Sequence, residues 1–87
     1  MTNDKLKLIK RLKIVEGQVR GLQAMIIQGA YCIDIITQTS AVKQALARVE
    51  DALMENHLST CLPRQVSQGK QQTAVKEILK VYQLKRK

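Results

Sequence analysis

The stretch from Ala30 to Leu62 contains neither glycine nor proline and repeats mainly apolar residues at spacings of three and four. Residues with this spacing lie along one face of an α-helix. The repeating positions are Ile35, Thr39, Val42, Leu46, Val49 and Leu53. Small residues on the same segment, Ala41, Ala45 and Ala52, permit close approach of another helix. The sequence therefore predicts one long helix over about residues 30–62.

The residues on either side predict two further helices. The apolar row before the long helix consists of Leu8, Leu12, Val15, Val19, Leu22 and Ile26. It predicts a helix over about residues 4–28 that ends near Gly29. We expect Pro63 to stop the second helix and a polar connection to lead into a third, over about residues 70–83. The apolar stripe of that helix is predicted to be Ala74, Val75, Ile78, Leu79 and Tyr82. These patterns predict a single all-α domain over residues 1–87, with two long antiparallel helices and a short one.

The size of the chain limits the core that it can build. It has 87 residues, and two tyrosines are its only aromatic residues. Such a core is marginal alone, so we expect much of the apolar surface to be buried against copies of the same chain. No apolar run approaches the length of a membrane span, and the polar residues after Met1 do not resemble a signal peptide. We expect a cytoplasmic protein without a membrane partner, with both cysteines reduced.

Most of the chain's soft ligand atoms are on three residues: Cys32, His57 and Cys61. Each alone could be an ordinary buried residue. His57 and Cys61 are four apart, however, so a helix brings their side chains to one face, where both could bind one metal ion. Cys32 is roughly 37 Å from His57 if the helix rises 1.5 Å per residue. We therefore expect the third ligand of a metal site to come from the antiparallel helix of a second subunit.

The net charge of +8 indicates a polyanionic partner. Basic residues crowd the first predicted helix, at Lys5, Lys7, Lys10, Arg11, Lys13 and Arg20. At about 100° per residue, Lys10 and Lys13 lie nearly opposite the apolar row. The shortage of aromatic rings argues against single-stranded nucleic acid, so duplex DNA contacted through its phosphates fits better. We find no helix-turn-helix pattern, because the long helices leave no short recognition unit.

Three segments carry a resemblance to a known family: RLKIVEGQVRG (residues 11–21), YCIDIITQTSAVKQAL (residues 31–46) and ENHLSTC (residues 55–61). They resemble the CsoR/RcnR family of bacterial metal-sensing transcriptional repressors, and the Cys, His, Cys set resembles its copper-sensing branch. The resemblance implies a dimeric four-helix bundle that assembles into a disc-shaped tetramer. It also implies a metal-free repressor that binds operator DNA and releases it when Cu(I) binds, derepressing copper-resistance genes. The Cu(I) site would use Cys32 of one subunit with His57 and Cys61 of another.

The same resemblance assigns roles to other residues. Tyr31 and Glu77 match an outer shell around the metal ligands, through which a hydrogen-bonded chain would orient His57 and transmit metal occupancy to the third helix. Family DNA contacts map best onto Arg11 and Arg48. Further candidate DNA contacts are Lys10, Lys13, Lys43 and Arg20. Glu16, Gly17 and Gln18 also match the family pattern, in a role that is either packing or part of the DNA surface.

The donor set favours Cu(I), because two thiolates and one imidazole suit a soft ion that accepts three ligands, whereas zinc needs a fourth. The nickel branch of the resembling family adds an N-terminal histidine and replaces the last cysteine by histidine, which this chain does not do. The formaldehyde branch lacks the second cysteine and the persulfide branch lacks the histidine. The alternatives are a thiol-responsive or nickel-responsive repressor of the same family. A metal carrier is a weaker alternative. The sequence shows no convincing pair of a catalytic acid and a catalytic base, so we do not expect an enzyme.

Overall fold

The computed structural model describes the backbone of residues 2–86 and the side chains of residues 4–86. Its elements are α1 (Thr2–Ile27), α2 (Cys32–Asn56), a π-helical turn (His57–Cys61), α3 (Leu62–Ser67) and α4 (Gln71–Arg86). Because α2, the π turn and α3 follow one another without a gap, the backbone forms three helical segments. The described residues include no strand, and the prediction of an all-α chain with three helical segments is confirmed.

Both breaks between helical segments have the same structure. Gly29 has φ +72° and Gly69 has φ +75°, a left-handed conformation that glycine adopts without steric cost. At the first break the N–H of Ala30 donates to the carbonyl of Met25 at 2.9 Å. At the second the N–H of Lys70 donates to the carbonyl of Gln65 at 2.8 Å. These six-residue hydrogen bonds around a glycine are Schellman caps, which explain why α1 and α3 end where they do.

The prediction that Pro63 stops the second helix is wrong. Pro63 lies in the first turn of α3, and helical backbone continues to Ser67. A proline in a regular helix lacks one hydrogen-bond donor, and its ring collides with the carbonyl four residues earlier. The helix accommodates Pro63 by widening just before it, where the N–H of Leu62 bonds to the carbonyl of His57. The long uninterrupted α-helix that was predicted is therefore an α-helix, a π turn and a second α-helix.

The chain divides into two structural units, the first ending at Ala52 and the second beginning at Leu53. In the first unit Val15 of α1 and Val42 and Val49 of α2 are buried, all three on the predicted apolar rows. Thr39, the polar member of its row, is satisfied within its own helix, because its hydroxyl donates to the carbonyl of Ile35 at 2.8 Å. Other members of the two apolar rows are exposed to solvent in the single chain, among them Leu12 at 43% and Leu46 at 40% exposure.

In the second unit α4 packs with Ala74 inward, at 1% exposure, and Ile78 half-buried. The predicted apolar stripe of this helix splits in the structure, because Val75, Leu79 and Tyr82 are all exposed. Only part of the stripe therefore faces the unit's own interior. Among the described residues no helix is both long and apolar enough to cross a membrane.

Candidate metal centre

His57 and Cys61 occupy the two ends of the π turn. Both side chains are half-buried, and the thiol of Cys61 is free. Ser59 is in the middle of the turn, and its hydroxyl donates to the carbonyl of Glu55 at 2.8 Å. This side-chain hydrogen bond adds to the backbone hydrogen bonds of the widened turn. Widened turns of this kind occur often at functional sites in helices. The imidazole and the thiol therefore lie on one helical turn, an arrangement that suits binding of one soft metal ion by both side chains.

A cavity of about 240 Å³ opens beside His57. It is lined by Met54, His57, Glu77, Ile78 and Val81, so α4 contributes most of its wall. The structure thus brings the predicted ligand His57 and the predicted outer-shell residue Glu77 to one cavity. A carboxylate near a metal-binding imidazole can accept a hydrogen bond from the ring nitrogen that does not bind the metal.

Gln65 is a residue that sequence reasoning missed. Its side-chain Nε2 donates to Oε1 of Glu77 at 2.8 Å, joining α3 to α4. Its own Oε1 is buried and has no hydrogen-bond partner. The row of residues spaced by four that contains Leu53, His57 and Cys61 reaches Gln65 next. That spacing was the available signal, and the expected helix end at Pro63 hid it.

Cys32 and Tyr31 lie at the other end of α2. Cys32 is its first residue, and the carbonyl of Tyr31 accepts the N–H groups of Asp34 and Ile35 at the start of the helix. Cys32 is an exposed free thiol, and the Tyr31 side chain is also exposed. Among the residues that the structure describes, no group of three or more His, Cys, Asp or Glu side chains could hold a metal ion within the chain. Assignment of Cys32, His57 and Cys61 to one site stays a prediction.

The six predicted DNA-contacting residues are all exposed: Lys10, Arg11, Lys13, Arg20, Lys43 and Arg48. Arg20 differs from the other five in the structure, because its Nη1 lies 3.5 Å from Oε1 of Glu16 in an exposed ion pair one helical turn away. Such pairs are weak and are readily exchanged for a phosphate. Glu16 therefore lies against a candidate DNA contact on α1.

Comparison with known proteins identifies the family. A model of the metal-sensitive transcriptional repressor family matches residues 4–83. The copper-sensing transcriptional repressor RicR of Mycobacterium tuberculosis is 50% identical over 68 residues, which are 78% of this chain and 71% of RicR. The copper-sensing transcriptional repressor CsoR of Bacillus subtilis is 38% identical over 81 residues, which are 93% of this chain and 80% of that protein.

A solved structure is similar over the whole chain. The crystal structure of the copper-sensing repressor CsoR with Cu(I) from Geobacillus thermodenitrificans matches with a TM-score of 0.91 and 36% identity. The match covers 100% of this chain and 91% of that one. The structural match agrees with the helical architecture. The chain belongs to the family of metal-sensitive transcriptional repressors.

Proposed function

We propose that the chain is a Cu(I)-responsive transcriptional repressor, which binds operator DNA when metal-free and releases it when Cu(I) binds. The observation that carries the proposal is the π turn, which has an imidazole at one end and a free thiol at the other in a chain of this family. Relatives that match most of the chain are copper-sensing repressors. The proposal places the protein in the cytoplasm, where operator DNA is found.

The Cu(I) site consists of His57 and Cys61 of one subunit and Cys32 of another. These donors fit the ion, since two thiolates and one imidazole form a soft three-ligand set. An intersubunit arrangement is supported by position, because the whole of α2 separates Cys32 from His57 along the chain. Two symmetry-related subunits with antiparallel α2 helices then share two equivalent sites, as expected for an interface with a twofold axis.

Assembly into dimers and tetramers is supported by the apolar residues that the single chain leaves open. On α1 and α2 these include Leu12, Val19, Leu46 and Leu53, each between 40% and 48% exposed. They continue the rows of which three members, Val15, Val42 and Val49, are buried within the chain. A second copy packed against these rows removes their apolar surface from water, at about 25 cal/mol for each Å² covered.

We infer that the cavity beside His57 couples metal binding to DNA binding. With one imidazole nitrogen bound to a metal, the other nitrogen would carry a proton and could donate to the carboxylate of Glu77, which lines the same cavity. That bond would draw α4 toward the π turn. Tyr31, beside the ligand Cys32, would complete this outer shell from the neighbouring subunit. The result is a coupling between metal occupancy and the position of α4, and through it the affinity for DNA.

A complementation experiment tests the shared site. Cys32→Ala and Cys61→Ala chains are purified separately without oxygen, each is titrated with Cu(I) against a chelator, and the two are then unfolded together and refolded. Each variant alone should lose high-affinity Cu(I) binding. The mixture should recover about a quarter of the wild-type sites, because half of the random dimers are mixed and each mixed dimer contains one complete site.

The outcomes separate the alternatives. Recovery in the mixture, together with Cu(I)-dependent release of operator DNA by the wild type, supports the proposal. No recovery, with binding lost in each variant alone, would place Cys32 and Cys61 of one site in the same subunit and contradict the shared site. If the wild type releases DNA after treatment with a persulfide but not with Cu(I), it is a thiol-responsive repressor. If Ni(II) alone releases DNA, it belongs with the nickel sensors. A chain that binds Cu(I) but no DNA is a carrier.

A further inference from the structure

The Glu77 carboxylate has one hydrogen-bonded neighbour and one that shares a cavity with it. Gln65 donates to its Oε1 at 2.8 Å. His57 lines the same cavity as Glu77. Both neighbours are on the continuous helical segment that contains the ligand turn, whereas Glu77 is on α4. A hydrogen bond from either residue to Glu77 therefore joins α4 to that segment.

The orientation of the Gln65 amide follows from its partner. An ionised carboxylate only accepts hydrogen bonds, so the Gln65 NH₂ group must face Glu77 and its carbonyl oxygen must face away. That oxygen, Oε1, is buried and lacks a partner. The amide is thus satisfied at one end only, and an unsatisfied buried acceptor offsets much of what the bond to Glu77 contributes. A side chain held in this way is bound weakly enough to be released when Glu77 moves toward another donor.

We propose that Gln65 is a positioning residue that holds Glu77 in the metal-free protein and gives it up to His57 when Cu(I) binds. This inference rests on the proposed function and names the contact that is broken. An imidazole bound to a metal is a stronger donor than a neutral amide, and its bond to a carboxylate is charge-assisted. Release also lets the Gln65 oxygen leave the buried position where it has no partner. The Gln65–Glu77 bond therefore favours the metal-free, DNA-binding state.

The bond can be tested first without metal or DNA. In ¹⁵N-labelled metal-free protein, the side-chain NH₂ resonances of Gln65, assigned by their loss in Gln65→Met, should show the shift of a proton bonded to a carboxylate. Glu77→Gln should remove that shift. Gln72→Met, which replaces an exposed glutamine of α4, is the matched control and should leave it unchanged. If Glu77→Gln has no effect on the Gln65 resonances, the proposed contact is absent.

The switch is tested by adding Cu(I) to the same sample, which is possible because Cu(I) is diamagnetic. The carboxylate-dependent shift of Gln65 should disappear as the site fills. Gln65→Met should bind Cu(I) more tightly and metal-free operator more weakly. Because one shift between the two states causes both changes, the two factors should multiply to about fivefold, the effect expected for a partly exposed hydrogen bond to a charged group. Gln65→Glu, which places a second carboxylate against Glu77, should act in the same direction and more strongly.

A purely structural role for Gln65 would lower thermal stability and leave the ratio of Cu(I) affinities with and without operator unchanged. That result overturns the inference, as does a Gln65 resonance that Cu(I) does not alter. Failure of the proposed function has a different signature, because wild-type protein would then keep its operator at saturating Cu(I). In that case an unchanged Gln65 resonance refutes the switch, and a loss of its shift on Cu(I) binding supports it independently of DNA.

Discussion

The N–H of Leu62 bonds to the carbonyl of His57, five residues earlier, immediately before Pro63. In a regular α-helix the Pro63 ring would collide with the carbonyl of Ser59. The added residue in this turn removes the collision and lets the helix continue through Pro63 into α3. The same adjustment determines the backbone shape between His57 and Cys61. Pro63 thus sets the geometry of the proposed ligand turn without itself carrying a ligand.

Pro63→Ala should therefore change metal binding more than it changes the fold. Alanine restores a backbone donor and removes the steric reason for the π turn, so the segment should relax toward regular α-helix. The spacing of His57 and Cys61 then alters, and Cu(I) affinity should fall by about tenfold. This loss of binding free energy is similar to the contribution of one hydrogen bond. Helical content measured by circular dichroism should be unchanged.

The control for this prediction is Gln68→Ala, an exposed change at the end of α3 outside the turn. It should leave Cu(I) affinity at the wild-type value. X-ray absorption of the Cu(I) complex should report altered metal–ligand distances in Pro63→Ala only. Equal affinities and identical spectra for the wild type and Pro63→Ala would show that the π turn has no part in metal binding.

His57→Ala should separate affinity from regulation. Two thiolates can still hold Cu(I) in a linear arrangement, so binding survives with reduced affinity. The proposed hydrogen bond from the imidazole to Glu77, which lines the same cavity, cannot form because alanine has no donor. We expect the factor by which Cu(I) weakens operator binding to fall to nearly one, while Cu(I) affinity falls less. Chelator competition and operator binding on the same preparation measure both, and equal losses would contradict this division.

The sequence predicted the helical segments well where local patterning decides them. The apolar rows identified Val15, Val42 and Val49, which are the buried residues of the first unit. Gly29 was recognised as the end of the first helix because no other residue adopts its conformation as easily. The candidate DNA-contacting residues are exposed, as expected, because the charge of a side chain follows directly from the residue type.

The sequence did not reveal features for which one local pattern allows two structures, or which depend on how helices pack. A proline inside a helical pattern either ends the helix or distorts it, and at Pro63 the distortion was preferred because helical backbone on both sides could be kept. The contact between Gln65 and Glu77 required knowing that α3 exists and how it meets α4. Val75, Leu79 and Tyr82 share helical spacing with Ala74 and Ile78, so periodicity alone could not tell the inward face from the exposed one.

Arg11→Ala and Arg48→Ala should each weaken operator binding while leaving the Cu(I) site intact. Both guanidinium groups are exposed cations, and neither residue belongs to the π turn or to the cavity beside His57. If each contacts one phosphate, the slope of log affinity against log salt concentration should decrease by about one. Lys80→Ala, an exposed cation of α4, is the matched control. Variants that bind operator like the wild type would remove these residues from the DNA surface.

Glu16→Gln should strengthen operator binding by about two- to threefold at low salt. The substitution releases Arg20 from its 3.5 Å ion pair and removes a negative charge from the helix that carries most of the candidate contacts. In the double variant Glu16→Gln, Arg20→Ala, the part of the gain due to Arg20 should disappear. Fluorescence anisotropy with labelled operator over a salt series measures the effect. A gain that survives in full without Arg20 would show that Arg20 does not reach the DNA.

Operator DNA should weaken Cu(I) binding by the same factor by which Cu(I) weakens operator binding. A ligand shifts an equilibrium between two states only through its different affinities for them, and thermodynamic linkage makes the effect reciprocal. The factor is expected between about 5-fold and 150-fold, the range typical of coupled sites. Cu(I) titrations against a chelator, with and without saturating operator, give one side, and operator titrations with and without Cu(I) give the other. Cu(I) affinities that do not differ between free and operator-bound protein would rule out release of DNA by Cu(I).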